Sequence, residues 1–143
     1  MARTKKNKLE IDYSYDFELI GLRTSAKGYR LAWELNGAMG WRLTRQDDLA
    51  VQTKSGDHHR FGHYAYDSGV GAFRLFRNKP TEGDTAKAVL VPEFAHYDYI
   101  LYCQTNDKPQ DNRLQEVLRN IPSIELAAFI PLDALKTKDV FIF

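Results

Sequence analysis

Between Tyr97 and Gln104 the chain alternates in a way that fits only an extended backbone. Side chains along a strand point to opposite faces in turn. Tyr97, Tyr99, Leu101 and Cys103 therefore fall on one face, and Asp98, Ile100, Tyr102 and Gln104 on the other. Apolar residues on both faces need cover on both sides, which predicts an interior strand. Just before it, Val91-Pro92-Glu93 forms a corner, because proline disfavours a continuous ladder there.

Two other segments repeat at the helical period. Leu31, Leu35, Ala38 and Met39 stand at i, i+4, i+7 and i+8, which predicts a helix over Tyr29–Met39 with Gly40 as its stop. Leu114, Val117, Leu118 and Ile121 make a second stripe, ending near Asn120 and closed by Pro122. The remaining apolar runs read as strands: Tyr15–Arg23, Leu49–Thr53, Phe61–Tyr66, Ala72–Arg77, Lys87–Val91, and Ile124–Ile130 as a last central strand. Turn signals at Lys54–Asp57 and Asp67–Gly71 join three of them into an antiparallel meander. The apolar end Val140–Phe143 is expected to dock.

This order predicts an α+β two-layer sandwich, an antiparallel or mixed sheet with two helices on one face. Strand-helix-strand opens and closes the chain, which suits a ferredoxin-like arrangement with an inserted hairpin. At 143 residues the chain fits one domain over residues 9–143. Residues 1–8, with four basic side chains, read as a disordered basic tail.

Charge and cysteine content narrow the function classes. Twenty basic against 19 acidic residues give a net charge of +1, without the basic excess that phosphate neutralisation favours in dedicated nucleic-acid binders. The single cysteine, Cys103, excludes an internal disulfide and suits a reducing compartment. The basic start lacks an apolar secretory core, and no run reaches the roughly 20 apolar residues of a spanning helix. A cytoplasmic location, away from membranes, is the expectation.

The segment Val91-Pro92-Glu93-Phe94-Ala95-His96-Tyr97-Asp98-Tyr99 resembles the signature of a bacterial family named for its motif, the IPExxxVDY family. Val91 replaces Ile and Tyr97 replaces Val; Pro92, Glu93, Asp98 and Tyr99 match. The stretch Tyr29–Asn36, with Gly40, Arg45, Asp47, Asp48 and Leu49, is similar to a second family segment, and Ala134–Phe143 to its tail. No motif is matched between Val51 and Ala88. The resemblance implies no activity, because the family has none assigned.

The chemistry-bearing residues read mainly as structural. Asp57, His58, His59 and His63 are the only histidine cluster. On one strand His59 and His63 stand ~13 Å apart, too far for one metal ion. They read as surface histidines near a turn, and no metal is expected. Glu93 and Asp98 offer an acid pair. They suit loop-fixing equally, with Asp98 pairing Arg30, Arg42 or Arg45. Asp47 and Asp48 suit a turn. Cys103 sits among apolar residues where thiols are inert. Gly69-Val70-Gly71 lacks the rest of a phosphate-binding fingerprint, and no cofactor is expected. Phe61, Tyr64, Tyr66, Phe73 and Phe76, with Arg60, Arg74, Arg77 and Lys79, offer an aromatic and basic mixture of the kind that holds single-stranded nucleic acid. Aromatic residues also favour strands for packing alone.

The reading these features favour is a non-catalytic cytoplasmic interaction module with a protein partner, its self-association left open. Its binding residues are expected to be Arg30, Trp33 and Asn36 on the first helix and Pro92, Glu93, Asp98 and Tyr99 in the signature. Asn36 is also expected to bond an adjacent loop. RNA or ribosome association is one alternative. A small enzyme using Glu93 and Asp98 is the other.

Overall fold

A computed structural model describes residues 17–52, 58–69, 71–80, 90–105 and 111–134. The expected tail over residues 1–8, the turn at 54–57, most of the 87–91 strand and the docked end at 140–143 lie outside the described residues. Strand β1 (Glu18–Thr24) leads into helix α1 (Gly28–Met39), followed by β2 (Thr44–Arg45), β3 (Leu49–Gln52), β4 (His58–Ser68) and β5 (Gly71–Pro80). Then come β6 (Tyr99–Thr105), α2 (Asp111–Arg119) and β7 (Ile124–Ile130). Short 3-10 turns occupy Pro92–Phe94 and Leu132–Ala134.

All seven strands join one sheet in the order β2-β4-β5-β6-β1-β7, with β3 also on β4. Every described pairing is antiparallel. Because β5 and β1 both run against β6, they run parallel to each other, and α1 lies on the crossover between them. The four strands β5-β6-β1-β7 with α1 and α2 thus reproduce the split βαβ order of a ferredoxin-like core. The insertion is larger than one hairpin: β2, β3 and β4 all lie between α1 and β5 and extend the sheet beyond β5. Arg45 opposes Tyr64 while Leu49 opposes Phe61, four residues against three. β2 and β3 are therefore one edge strand broken by a single surplus residue, a bulge.

The alternation of β6 divides the core. Tyr99, Leu101 and Cys103 join Ile20, Leu22, Leu31, Leu35, Leu114 and Leu118 on the helical side of the sheet. Ile100 and Tyr102 join Leu19, Phe61, Phe76, Leu90, Val91 and Tyr97 on the other side. Leu31, Ala32 and Leu35 of α1 and Leu114 and Leu118 of α2 are buried on the helical side. Met39 and Val117 are partly buried, and Ala38 of the expected stripe is exposed. α1 ends where Gly40 adopts φ 73° and donates its N–H to the Asn36 carbonyl, a left-handed stop that suits glycine.

Three expectations are corrected. β7 pairs with β1 alone among the described residues, so it ends the strand order instead of lying centrally. Leu90 and Val91 are buried but belong to no strand. Tyr97 leaves the face of Tyr99 and packs on the opposite one. The chain bends at Asp98, and regular alternation begins only at Tyr99. The Tyr97 ring fills the place a side chain on Gly21 would take: a Cβ there would stand 2.2 Å from Tyr97 Cδ2. Glycine at this interior strand position is thus explained by close approach of an aromatic ring.

Candidate functional site

The signature corner is built around a residue with no motif to mark it. Asn78, near the end of β5, is completely buried. Its side-chain amide donates to the Phe94 carbonyl at 3.1 Å and the Tyr97 carbonyl at 2.9 Å. Its side-chain oxygen accepts the Val91 N–H at 2.8 Å. Its own N–H donates to the Asp98 carbonyl, and its carbonyl accepts the Leu90 N–H, both at 2.9 Å. Five hydrogen bonds thus tie residues 90–98 to β5. A fully satisfied buried amide of this kind fixes one loop conformation.

Asp98 fastens the corner on its other side. One carboxylate oxygen accepts the Thr24 N–H at 2.9 Å, and the other meets the Lys79 ammonium at 3.2 Å. The expected arginine partners are replaced by Lys79, because the strand register sets β5 directly beside the corner. Tyr99 is buried, and its hydroxyl donates to the Ala26 carbonyl at 3.2 Å. Burial raises its pKa above the ordinary tyrosine value, while the nearby Arg77 charge opposes that rise. Asp98 and Tyr99 are thus structural links to the β1–α1 loop. Pro92 and Glu93 are exposed on the 3-10 turn.

The helix residues divide in the same way. Asn36 bonds the adjacent loop as expected: its amide donates to the Leu43 carbonyl at 3.2 Å, and its oxygen accepts the Leu43 N–H at 2.8 Å. Trp33 is 69% exposed and Tyr29 67%. They stand at i and i+4 on the outer side of α1, and the Arg30 guanidinium lies 5.9 Å from the Trp33 ring centroid. Arg30 also faces Glu34 at 3.9 Å, and Glu34 accepts the Ser123 hydroxyl. The Thr24 hydroxyl in turn donates to the Ser123 carbonyl at 2.6 Å. Asp98 and Arg30 are therefore joined through Thr24, Ser123 and Glu34. Pro92 and Glu93 are not brought to that group, since the 3-10 turn belongs to the sheet's helix-free side.

Two concavities flank α1. A groove of about 580 Å³ runs from Trp33 and Gly37 to Asn120 and Pro122 at the end of α2. A polar cleft of about 540 Å³ lies where the β1–α1 loop meets β5 and β6. Lys27, Arg77, Lys79, Asp98 and Tyr99 are among its walls. Glu93 does not line this cleft, so the signature acids share no cavity there.

The other candidates prove more interior than expected. His59 is buried and His63 half-buried, its ring stacked 4.6 Å from that of Phe76. These two are not surface histidines, because β4 lies between β3 and β5 and pairs His59 with Val51 and His63 with Phe76; His58 is exposed, as expected. His63 Nε2 is buried without a hydrogen-bond partner. Burial lowers the His63 pKa, with Arg74 and Arg45 adding to the effect. Phe61, Phe73 and Phe76 are all buried, and Trp41 stacks on Phe73 at 4.3 Å. They form core, not a platform for bases. Burial also pushes the Cys103 thiol well up, away from thiolate chemistry. Asp48 pairs with Arg45, which also donates to the His63 carbonyl at 3.1 Å, so the bulge is held by its own side chains.

Among the described residues no helix is long and apolar enough to cross a membrane. No family model matches the chain, and no curated protein matches it.

Proposed function

We propose that the chain is a non-catalytic cytoplasmic binding module that docks a protein partner on the outer side of α1. The resemblance to the IPExxxVDY family is carried forward as part of this reading. The observation behind it is the exposed pair Tyr29 and Trp33 with Arg30 laid against the indole. Trp, Tyr and Arg are the side chains enriched at the energetic centres of protein interfaces. Large exposed aromatics on a helix whose other side is fully buried need such an explanation more than scattered surface apolar residues do. The signature corner serves this module by fixing the start of α1 through Asp98 and Tyr99.

The alternatives have less support. The RNA reading relied on strand aromatics, three of which are interior. The enzyme reading relied on Glu93 and Asp98 facing one hollow, and Glu93 is absent from the walls of the Asp98 cleft.

The test is capture by the immobilised chain from bacterial lysate, then affinity measurement with the purified partner. Trp33→Ala is expected to weaken binding about 30-fold, the equivalent of a 2 kcal/mol hot spot, with an unchanged melting curve. Undiminished affinity of Trp33→Ala for every captured partner would remove this reading.

A further inference from the structure

We infer that the cleft between the β1–α1 loop and β5–β6 binds a phosphate dianion carried by a small molecule. The cleft has about 540 Å³, within the roughly 300–1,000 Å³ of small-molecule sites. Three cations, Lys27, Arg77 and Lys79, face one acid, Asp98. That acid is already held by Lys79 and the Thr24 N–H. Lys27 and Arg77 come from different elements, the loop before α1 and β5. Neither has an acidic partner among the described residues.

The sum is three positive charges against one negative, an excess of two. A phosphate monoester carries about −1.5 to −2 at neutral pH, with three acceptor oxygens. A carboxylate supplies one charge and leaves the cleft unbalanced. Arg77 contributes a planar fork suited to two phosphate oxygens, and Lys27 a mobile point charge. Arg77 stands directly opposite Tyr99 in the β5–β6 register, and both line the cleft. The Asn78 and Asp98 bonds hold β5, β6 and the loop in register beneath these groups. This site is separate from the outer side of α1, and each stands or falls without the other.

The experiment is a titration of the isotopically labelled full chain, followed by NMR amide shifts at constant ionic strength. The probes are inorganic phosphate, glycerol 3-phosphate and acetate. Both phosphates are expected to give saturable shifts at Ser25, Lys27, Gly28, Arg77 and Tyr99. Acetate is expected to bind about tenfold more weakly, in keeping with its single charge. Arg77→Gln and Lys27→Gln should each weaken phosphate about tenfold or more, while Trp33→Ala leaves it unchanged. Glycerol 3-phosphate binding should strengthen from pH 5.5 to 7.5 as the monoester loses its second proton at about pH 6. Shifts scattered over distant lysines, acetate equal to phosphate, or phosphate affinity indifferent to both substitutions would each overturn the assignment. If Arg77→Gln loses its fold, the exposed loop variant Lys27→Gln carries the test.

Discussion

Replacing Asn78 by alanine tests the corner directly. The substitution removes three side-chain hydrogen bonds from a completely buried position. The Phe94 carbonyl keeps a second donor, the Tyr97 N–H at 3.2 Å. The Val91 N–H and the Tyr97 carbonyl keep none among the described residues. Each orphaned buried group costs about 1–3 kcal/mol, and the vacated amide volume adds to this. Offset by the desolvation that Asn78 itself no longer incurs, the net loss is about 3–5 kcal/mol. That is a large share of the roughly 5–15 kcal/mol that holds a typical domain together. Urea unfolding measures it: the midpoint should fall with an unchanged slope. In hydrogen exchange the Val91 amide should lose protection first. Asn78→Asp should be at least as harmful at neutral pH, because a carboxylate then faces two carbonyl oxygens. A loss below about 1 kcal/mol for Asn78→Ala would refute the assignment of the corner's order to this amide.

Two further outcomes follow from packing and titration. Gly21→Ala should destabilise the fold through the 2.2 Å approach to the Tyr97 ring, and Tyr97→Val should recover part of the loss in a double-mutant cycle. Additive effects of the two changes would show that the ring does not rest on Gly21. The lowered His63 pKa gives stability a defined pH dependence. The unfolded histidine binds its proton at higher pH than the folded one, so stability is full above about pH 6.5 and falls as pH drops below it. His63→Phe should flatten that slope in melting temperatures measured between pH 5 and 7.5, and an unaltered slope would contradict the burial argument.

How much of this was legible in the sequence depends on whether the signal was periodic. The stripes of α1 and α2, the stop at Gly40 and the meander of β3, β4 and β5 follow from spacing, and the strand order then yields the two-layer α+β sandwich. The face of Tyr97 was misjudged, because a bend at Asp98 breaks an alternation that looks continuous. The place of β7 was also misjudged, since apolar content on both faces does not say how many neighbours a strand has. Asn36 as a loop clamp was legible from its discomfort inside a helix. Asn78 was not: Arg77-Asn78-Lys79 reads as a polar strand end, and its bonds are to residues 12 to 20 positions away in sequence. A polar residue at a strand end before a Pro-Glu corner was the only available hint. The cation cleft was hidden for the same reason, as Lys27 and Arg77 meet only through the β1-β6-β5 register.

The division of labour between the corner and α1 is tested most directly by measuring stability and partner affinity for Asp98→Ala and Trp33→Ala side by side. Asp98→Ala is expected to lower the unfolding midpoint, since it strips the Thr24 N–H and Lys79 of their shared acceptor. Trp33→Ala is expected to leave the midpoint in place and weaken partner affinity about 30-fold. The opposite pattern, a stable Asp98→Ala that no longer binds and a Trp33→Ala that binds normally, would contradict the account.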